Sequence, residues 1–174
     1  MEDIHLINDK LSPPDCIREF LRTIYGINKR SRLRKLGNYY SIHDFILENG
    51  REFTPQTLPL KYKPLRPKHC FENAFNLMTF ESNLTYVEGF AMGVIPTHHA
   101  WCCDLHGNVR DNTWTGDGED CAVPGVAYFG VPFKRRVVLD VVMDCKRHGV
   151  IDQWEADWPI LRGKYPDFLQ EIQK

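Results

Sequence analysis

Three residues, Cys70, His99 and Asp111, have the types and the spacing for nucleophilic acyl transfer. Cys70 stands just inside the start of an expected helix, His99 on an expected strand, and Asp111 on the strand after it. A thiol at a helix N-terminus feels the positive end of the macrodipole, which favours thiolate over thiol. An imidazole within reach takes the thiol proton and returns it to the leaving group, and a carboxylate holds the ring in the orientation that this needs.

The hairpin between His99 and Asp111 decides which histidine takes part. Asp104-Leu105-His106-Gly107 suits a type I turn with Gly107 in the left-handed position, and that turn pairs Asp104 with Asn108. Counting outward, Trp101 opposes Asp111 and His99 opposes Thr113. His99, Trp101, Cys103, Val109, Asp111 and Thr113 then share one face, while His98 points the other way. A turn one residue shorter breaks this match.

The elements that must position these groups follow from periodicity and punctuation. A helix is expected over 12–25, with Ser12 as its N-cap, Pro13 and Pro14 in its first turn and Gly26 as its end. A second helix is expected over 41–48. Pro55, Pro59, Pro64 and Pro67 make residues 54–67 an extended arm. A buried helix over 70–80 leads into strands over 85–92, 98–105, 108–114, 126–133 and 136–143. Residues 151–173 read as one or two amphipathic helices interrupted by Pro159 and Pro166. The expected fold is α+β, with the catalytic helix packed on an antiparallel sheet. One domain spans 1–174: a helical and proline-rich N-terminal part over 1–67, the catalytic core over 68–143, and C-terminal helices over 144–174.

Composition limits the function classes. The chain has 174 residues, 43% of them hydrophobic, enough for one folded core and too few for a multidomain machine. Twenty-two basic residues against 23 acidic ones leave a net charge of −1, so no overall positive field holds a nucleic acid. The basic run Lys29-Arg30-Ser31-Arg32-Leu33-Arg34-Lys35 reads as a solvated face in preference to a phosphate-binding patch. No apolar run approaches the ~20 residues of a membrane span, and acids stand near the N-terminus where a secretion signal needs basic residues. A cytoplasmic protein with reduced thiols is the expectation. Cys70 is then the one reactive cysteine of six, Cys103 lies on the active face, and Cys16, Cys102, Cys121 and Cys145 pack.

Four short pieces carry a family resemblance: Cys70-x3-Ala74, Tyr86-Val87-x-Gly89, His99-Ala100-Trp101 and Gly107-x-Val109-x-Asp111-x-Thr113. In order and type they resemble the core of the transglutaminase-like branch of the papain-like cysteine enzymes, over about a quarter of the chain. The resemblance implies a papain-like core with Cys70 as nucleophile, His99 as base and Asp111 as the orienting acid. The compact spacing departs from that of the large animal transglutaminases, so protein cross-linking does not follow. Arylamine N-acetyltransferases share the order of the triad and a Phe-Glu after the cysteine. This chain is shorter and lacks their Arg-Gly-Gly before it, which argues against acetyl-CoA.

The backbone N–H of Cys70 is one expected oxyanion donor, and Gln56 or Asn73 a second. Trp101 and Trp114 are expected to wall the site or fill the core. Glu88, which interrupts an apolar strand, either contacts substrate or faces outward. Tyr128 to Phe133 are assigned no chemistry. His98, His99, Cys102, Cys103 and His106 are metal-ligand types, but alternation divides them between two faces, so no metal is expected. The expected reaction is hydrolysis of an amide in a protein, peptide or small amide through a thioester on Cys70, without a cofactor. Acyl transfer to an amine and a noncatalytic binding module are the alternatives.

Overall fold

A computed structural model describes residues 11–31, 33–114 and 125–173. Cys121 and Arg32 lie outside them. Helix α1, Pro13–Arg30, begins as its sequence demands: the Asp15 N–H donates to Ser12 Oγ at 3.4 Å, and Pro13 and Pro14 sit where no intrahelical donor is needed. It does not stop at Gly26. A glycine in a helix interior costs about 1 kcal/mol relative to alanine. The extra turn is held by Asn28, whose side-chain amide donates to Ser41 Oγ at 3.1 Å at the start of the next helix. That helix, α2 (Ile42–Asn49), carries a capping box of Ser41 and Asp44.

Five strands follow from the remaining sequence: β1 (Arg51–Phe53), β2 (Thr85–Met92), β3 (Pro96–Cys103), β4 (Val109–Arg110) and β5 (Ala127–Phe133). They form one sheet in the order β1-β5-β2-β3-β4, every pair antiparallel. The sheet curls until its two edge strands meet. Thr54, just after β1, donates its N–H to Gly107 O at 3.0 Å and accepts from Val109 N at 2.9 Å, so neither edge is left open there.

Curling gives the sheet an inside and an outside. Inside lie Phe53, Val87, Ala91, Trp101, Cys103, Val109, Tyr128 and Ile172. Room for the Trp101 ring is made by two facing glycines, Gly89 and Gly130. A Cβ on Gly130 falls 2.7 Å from Trp101 Cη2, and one on Gly89 falls 2.3 Å from Gly130 Cα. On the outside, Tyr86, Phe90, Ala100, Cys102, Phe129, Val131 and Phe133 join the larger core built with the helices. Helix α3, Cys70–Phe80, packs on that outer face, and Cys102 Sγ donates to Ala74 O at 3.2 Å.

Two expected elements are different. Residues 136–143 are not a strand but belong to helix α4, Arg135–Cys145. Their valines have high β-propensity, but Val137, Val138 and Val141 fall on one helical face and are buried, so packing overrides propensity. The tail over 151–173 is largely irregular, with a single 3-10 turn at Trp154–Ala156. Asp157 and Trp158 have φ of 56° and 48°, and a left-handed pair cannot continue a helix. Strand β1 was not foreseen, and 108–114 is strand only at Val109–Arg110. The arm over 54–67 does run without helix.

Glu88 holds this tail. It does not point to solvent: it is 0% exposed, at the wall of a small cavity of about 100 Å³ that it shares with Phe71, His98 and Gly149. Its carboxylate accepts from Val150 N at 2.6 Å, Ile151 N at 3.1 Å and Tyr86 Oη at 3.0 Å. His98 Nε2 stands 3.3 Å from Glu88 Oε1 but out of line for a hydrogen bond. Removing the carboxylate leaves three buried donors without a partner, each worth about 1–3 kcal/mol. Glu88→Ala should therefore lower the unfolding free energy by about 3 kcal/mol or more in urea denaturation. A loss under about 1 kcal/mol would mean that apolar packing alone holds the tail.

Candidate active site

Cys70 is the first residue of α3. The chain reaches it through Lys68, a non-glycine residue at φ 66°, which turns the backbone sharply into the helix. His69 is the N-cap and makes no side-chain cap, its ring instead lying 3.1 Å from Glu72. Two asparagines fix this end of the helix. Asn73 donates both amide hydrogens, to Arg66 O at 2.8 Å and Thr113 Oγ1 at 3.0 Å. Asn112 O accepts from Leu65 N at 2.8 Å. The helix start is thereby tied to the loop that carries Asp111.

The hairpin takes the expected register. Asp104 N donates to Asn108 O, Gly107 adopts φ 75°, and Cys103 pairs with Val109. Pairing stops after Arg110, so His99 does not face Thr113 across a ladder. Asp111 instead folds the chain back on itself: its Oδ1 accepts from Thr113 N at 2.9 Å and Trp114 N at 3.0 Å. Its Oδ2 is left for His99 Nε2 at 2.8 Å and Tyr128 Oη at 2.9 Å.

With Nε2 held by Asp111, Nδ1 is the His99 nitrogen left for Cys70, which is among the groups that raise the imidazole's pKa. Burial disfavours a charged imidazole here. The Asp111 carboxylate, with a further contribution from Cys70, outweighs it and holds the His99 pKa up at about 9. Burial likewise raises Asp111, but the His99 cation and the N–H groups of Trp114 and Thr113 outweigh it, so its pKa lies below the usual carboxylate range. Burial, then the Asp111 charge, push the Tyr128 phenol up, so it remains a donor. Trp114, half-buried, stacks on the His99 ring with centroids 4.2 Å apart and planes at 21°.

The other predicted residues are placed differently. Asn73 is committed to holding α3, with neither amide hydrogen free for an oxyanion. Gln56 lies in an exposed network, donating to Asn108 Oδ1 at 2.9 Å and accepting from Arg110 at 2.8 Å. The Cys70 N–H remains as the donor that the helix start offers. Trp101 is wholly buried, edge-on to Phe53 and Tyr128, so it fills the inside of the sheet instead of meeting a ligand. Glu88 is the tail's anchor described above. Cys103 shares the face of His99 but packs in the core, where burial pushes its thiol up to about 12. Among the described residues no three His, Cys, Asp or Glu side chains are grouped so that they could hold a metal ion.

Sequence reasoning missed Tyr128. Its place opposite Ala91 follows from β5 lying next to β2, and that strand order has no local signal in the sequence.

The His99–Asp111 pair has a definite pH signature. A histidine raised to about 9 contributes its full stabilisation below its unfolded value near 6.5, and loses it as pH rises through about 9. Asp111 is lowered, so its share is present above about 4 and lost only in acid. The stability gap between wild type and His99→Gln should be widest near pH 5–6 and narrow steadily towards pH 9, as read by urea midpoints at each pH. A gap that widens with pH would contradict a charged imidazole.

No protein-family model matches the chain, and neither a curated protein nor a solved structure was found to resemble it.

Proposed function

We propose that the protein is a cysteine-dependent acyl-transfer enzyme that hydrolyses an amide bond through a thioester on Cys70. The observation that carries this reading is the buried His99 ring, held by Asp111 through Nε2 at 2.8 Å, with Nδ1 left over and Cys70 at the start of α3 among the groups that raise its pKa. Hydrolysis needs no second substrate pocket, which favours water over an amine as the final acceptor.

The chemistry balances with these groups alone. The Cys70 sulfur, its proton passed to His99 Nδ1, attacks the amide carbonyl carbon, and the carbonyl oxygen becomes an oxyanion within reach of the Cys70 N–H. Collapse of that intermediate breaks the C–N bond, and the proton on His99 goes to the departing amine. A water then gives a proton to His99 and its oxygen to the thioester carbon. The acid leaves, and the sulfur and its proton are restored. Asp111 stays ionised throughout, and Tyr128 and the two backbone N–H groups keep it from turning. In this reading the papain-like, transglutaminase-like arrangement expected from the four sequence pieces is retained, and the protein acts on a peptide, protein or small amide.

Limiting iodoacetamide, with peptide mass mapping between pH 5 and pH 9, tests the premise. Cys70 should label at least tenfold faster than Cys16 at pH 7, and His99→Ala should remove that advantage. Equal labelling of the two cysteines, or a Cys70 rate indifferent to His99, would sink the reading.

A further inference from the structure

The end of α1 and the loop after it carry cations that pair with no carboxylate among the described residues. Lys29 and Arg30 end α1, and Arg34 and Lys35 lie in the loop after it. All four are exposed, and none forms an ion pair among the described residues. Elsewhere the chain pairs such charges: around the groove by α4, Lys134 meets Asp167, Arg136 meets Asp140 and Lys164 meets Asp144.

Beside these cations lies a mainly apolar groove of about 370 Å³, walled by Leu33, Leu36, Tyr40, Ile42 and Trp158, with Arg34 on its rim and the polar side chains of Ser41, His43 and Asp152 completing its lining. Its walls are built firmly. Gly37, at φ 69°, brings the loop so close to the tail that a Cβ there would fall 2.3 Å from Leu161 O. The consecutive left-handed residues Asp157 and Trp158 present the indole, and its Nε1 donates to Asp152 Oδ1 at 3.0 Å. Leu33 is 49% exposed, an aliphatic side chain left in water at the mouth of the groove.

We infer that this face is a docking site for an acidic polypeptide segment that carries two adjacent apolar side chains. The groove has the volume for such a pair. Arg34 on its rim and Lys35 over the ring of the lining Tyr40 stand where flanking carboxylates would lie, and Lys29 and Arg30 add to the charge at the nearby end of α1. A nucleic acid fits less well. Its bases need open aromatic faces, whereas Lys35 lies 5.1 Å over the Tyr40 ring, Lys29 lies 5.8 Å over Tyr25, and much of the groove wall is aliphatic. The docking site stands independently of the thiol chemistry proposed above.

Fluorescence anisotropy with the full chain tests it. The probes are labelled octapeptides Glu-Glu-Glu-X-X-Glu-Glu-Glu, in which X is Leu, Phe, Tyr or Trp. The controls are Gly-Gly at the centre, Lys in place of every Glu, and an eight-nucleotide oligo-dT. At least one acidic peptide should bind saturably, with at least a threefold loss for the Gly-Gly centre and at least a tenfold loss in the double variant R34E/K35E. Leu33→Ser should weaken the apolar peptides and leave the residual binding of the Gly-Gly peptide unchanged. The inference is overturned if no acidic peptide binds saturably, if the lysine peptide or the oligonucleotide binds as tightly, or if the double variant binds as wild type does.

Discussion

A carboxylate can be taken out of water only where donors replace the water, and Asp111 is 4% exposed. Its two oxygens meet four donors from three parts of the chain: His99 on β3, Tyr128 on β5, and the backbone of Thr113 and Trp114. Satisfying that one group fixes where the chain leaves β4, how the His99 ring is turned, and which ring nitrogen is left for Cys70. The cation that burial would otherwise discharge persists on His99 because the anion beside it has nowhere to go. Closure of the sheet through Thr54 and packing of Trp101 against the glycine pair hold the donors at that distance.

The two faces of the sheet divide the work. The inner face supplies His99, Tyr128 and, at its margin, Asp111. The outer face takes α3, with Cys70 as its first residue, and it buries Glu88 as the anchor of the tail. Neighbouring residues on β3 thus serve different ends: His99 pairs with Asp111, while His98 packs beside Phe71 and Phe90 on the other side. A shift of one residue in the hairpin would exchange them. That is why the Asp104–Gly107 turn matters as much to the site as His99 and Asp111 do.

Much of this was legible in the sequence because it is local. The turn around Gly107, the start of α3 at Cys70, the full extent of β2 and the cap at Ser12 are each set by a few neighbouring residues. What was not legible depends on residues far apart in the chain. Tyr128 reaches Asp111 only because β5 lies beside β2. Glu88 reads as a cleft or surface residue until the backbone of Val150 and Ile151 arrives to use it. The valines of α4 favour a strand by propensity and a helix by spacing, and the core they face decides between the two.

Acylation of the thiol tests the central claim most directly. The full chain is mixed with p-nitrophenyl acetate at pH 7, quenched in acid within seconds, and examined by intact-mass and peptide mass spectrometry. The account predicts one acetyl group on Cys70, none at that site in Cys70→Ala, and acetylation slowed at least a hundredfold in His99→Ala. Acetyl groups spread over surface lysines with Cys70 unmodified, or Cys70 acetylated equally fast without His99, would contradict it.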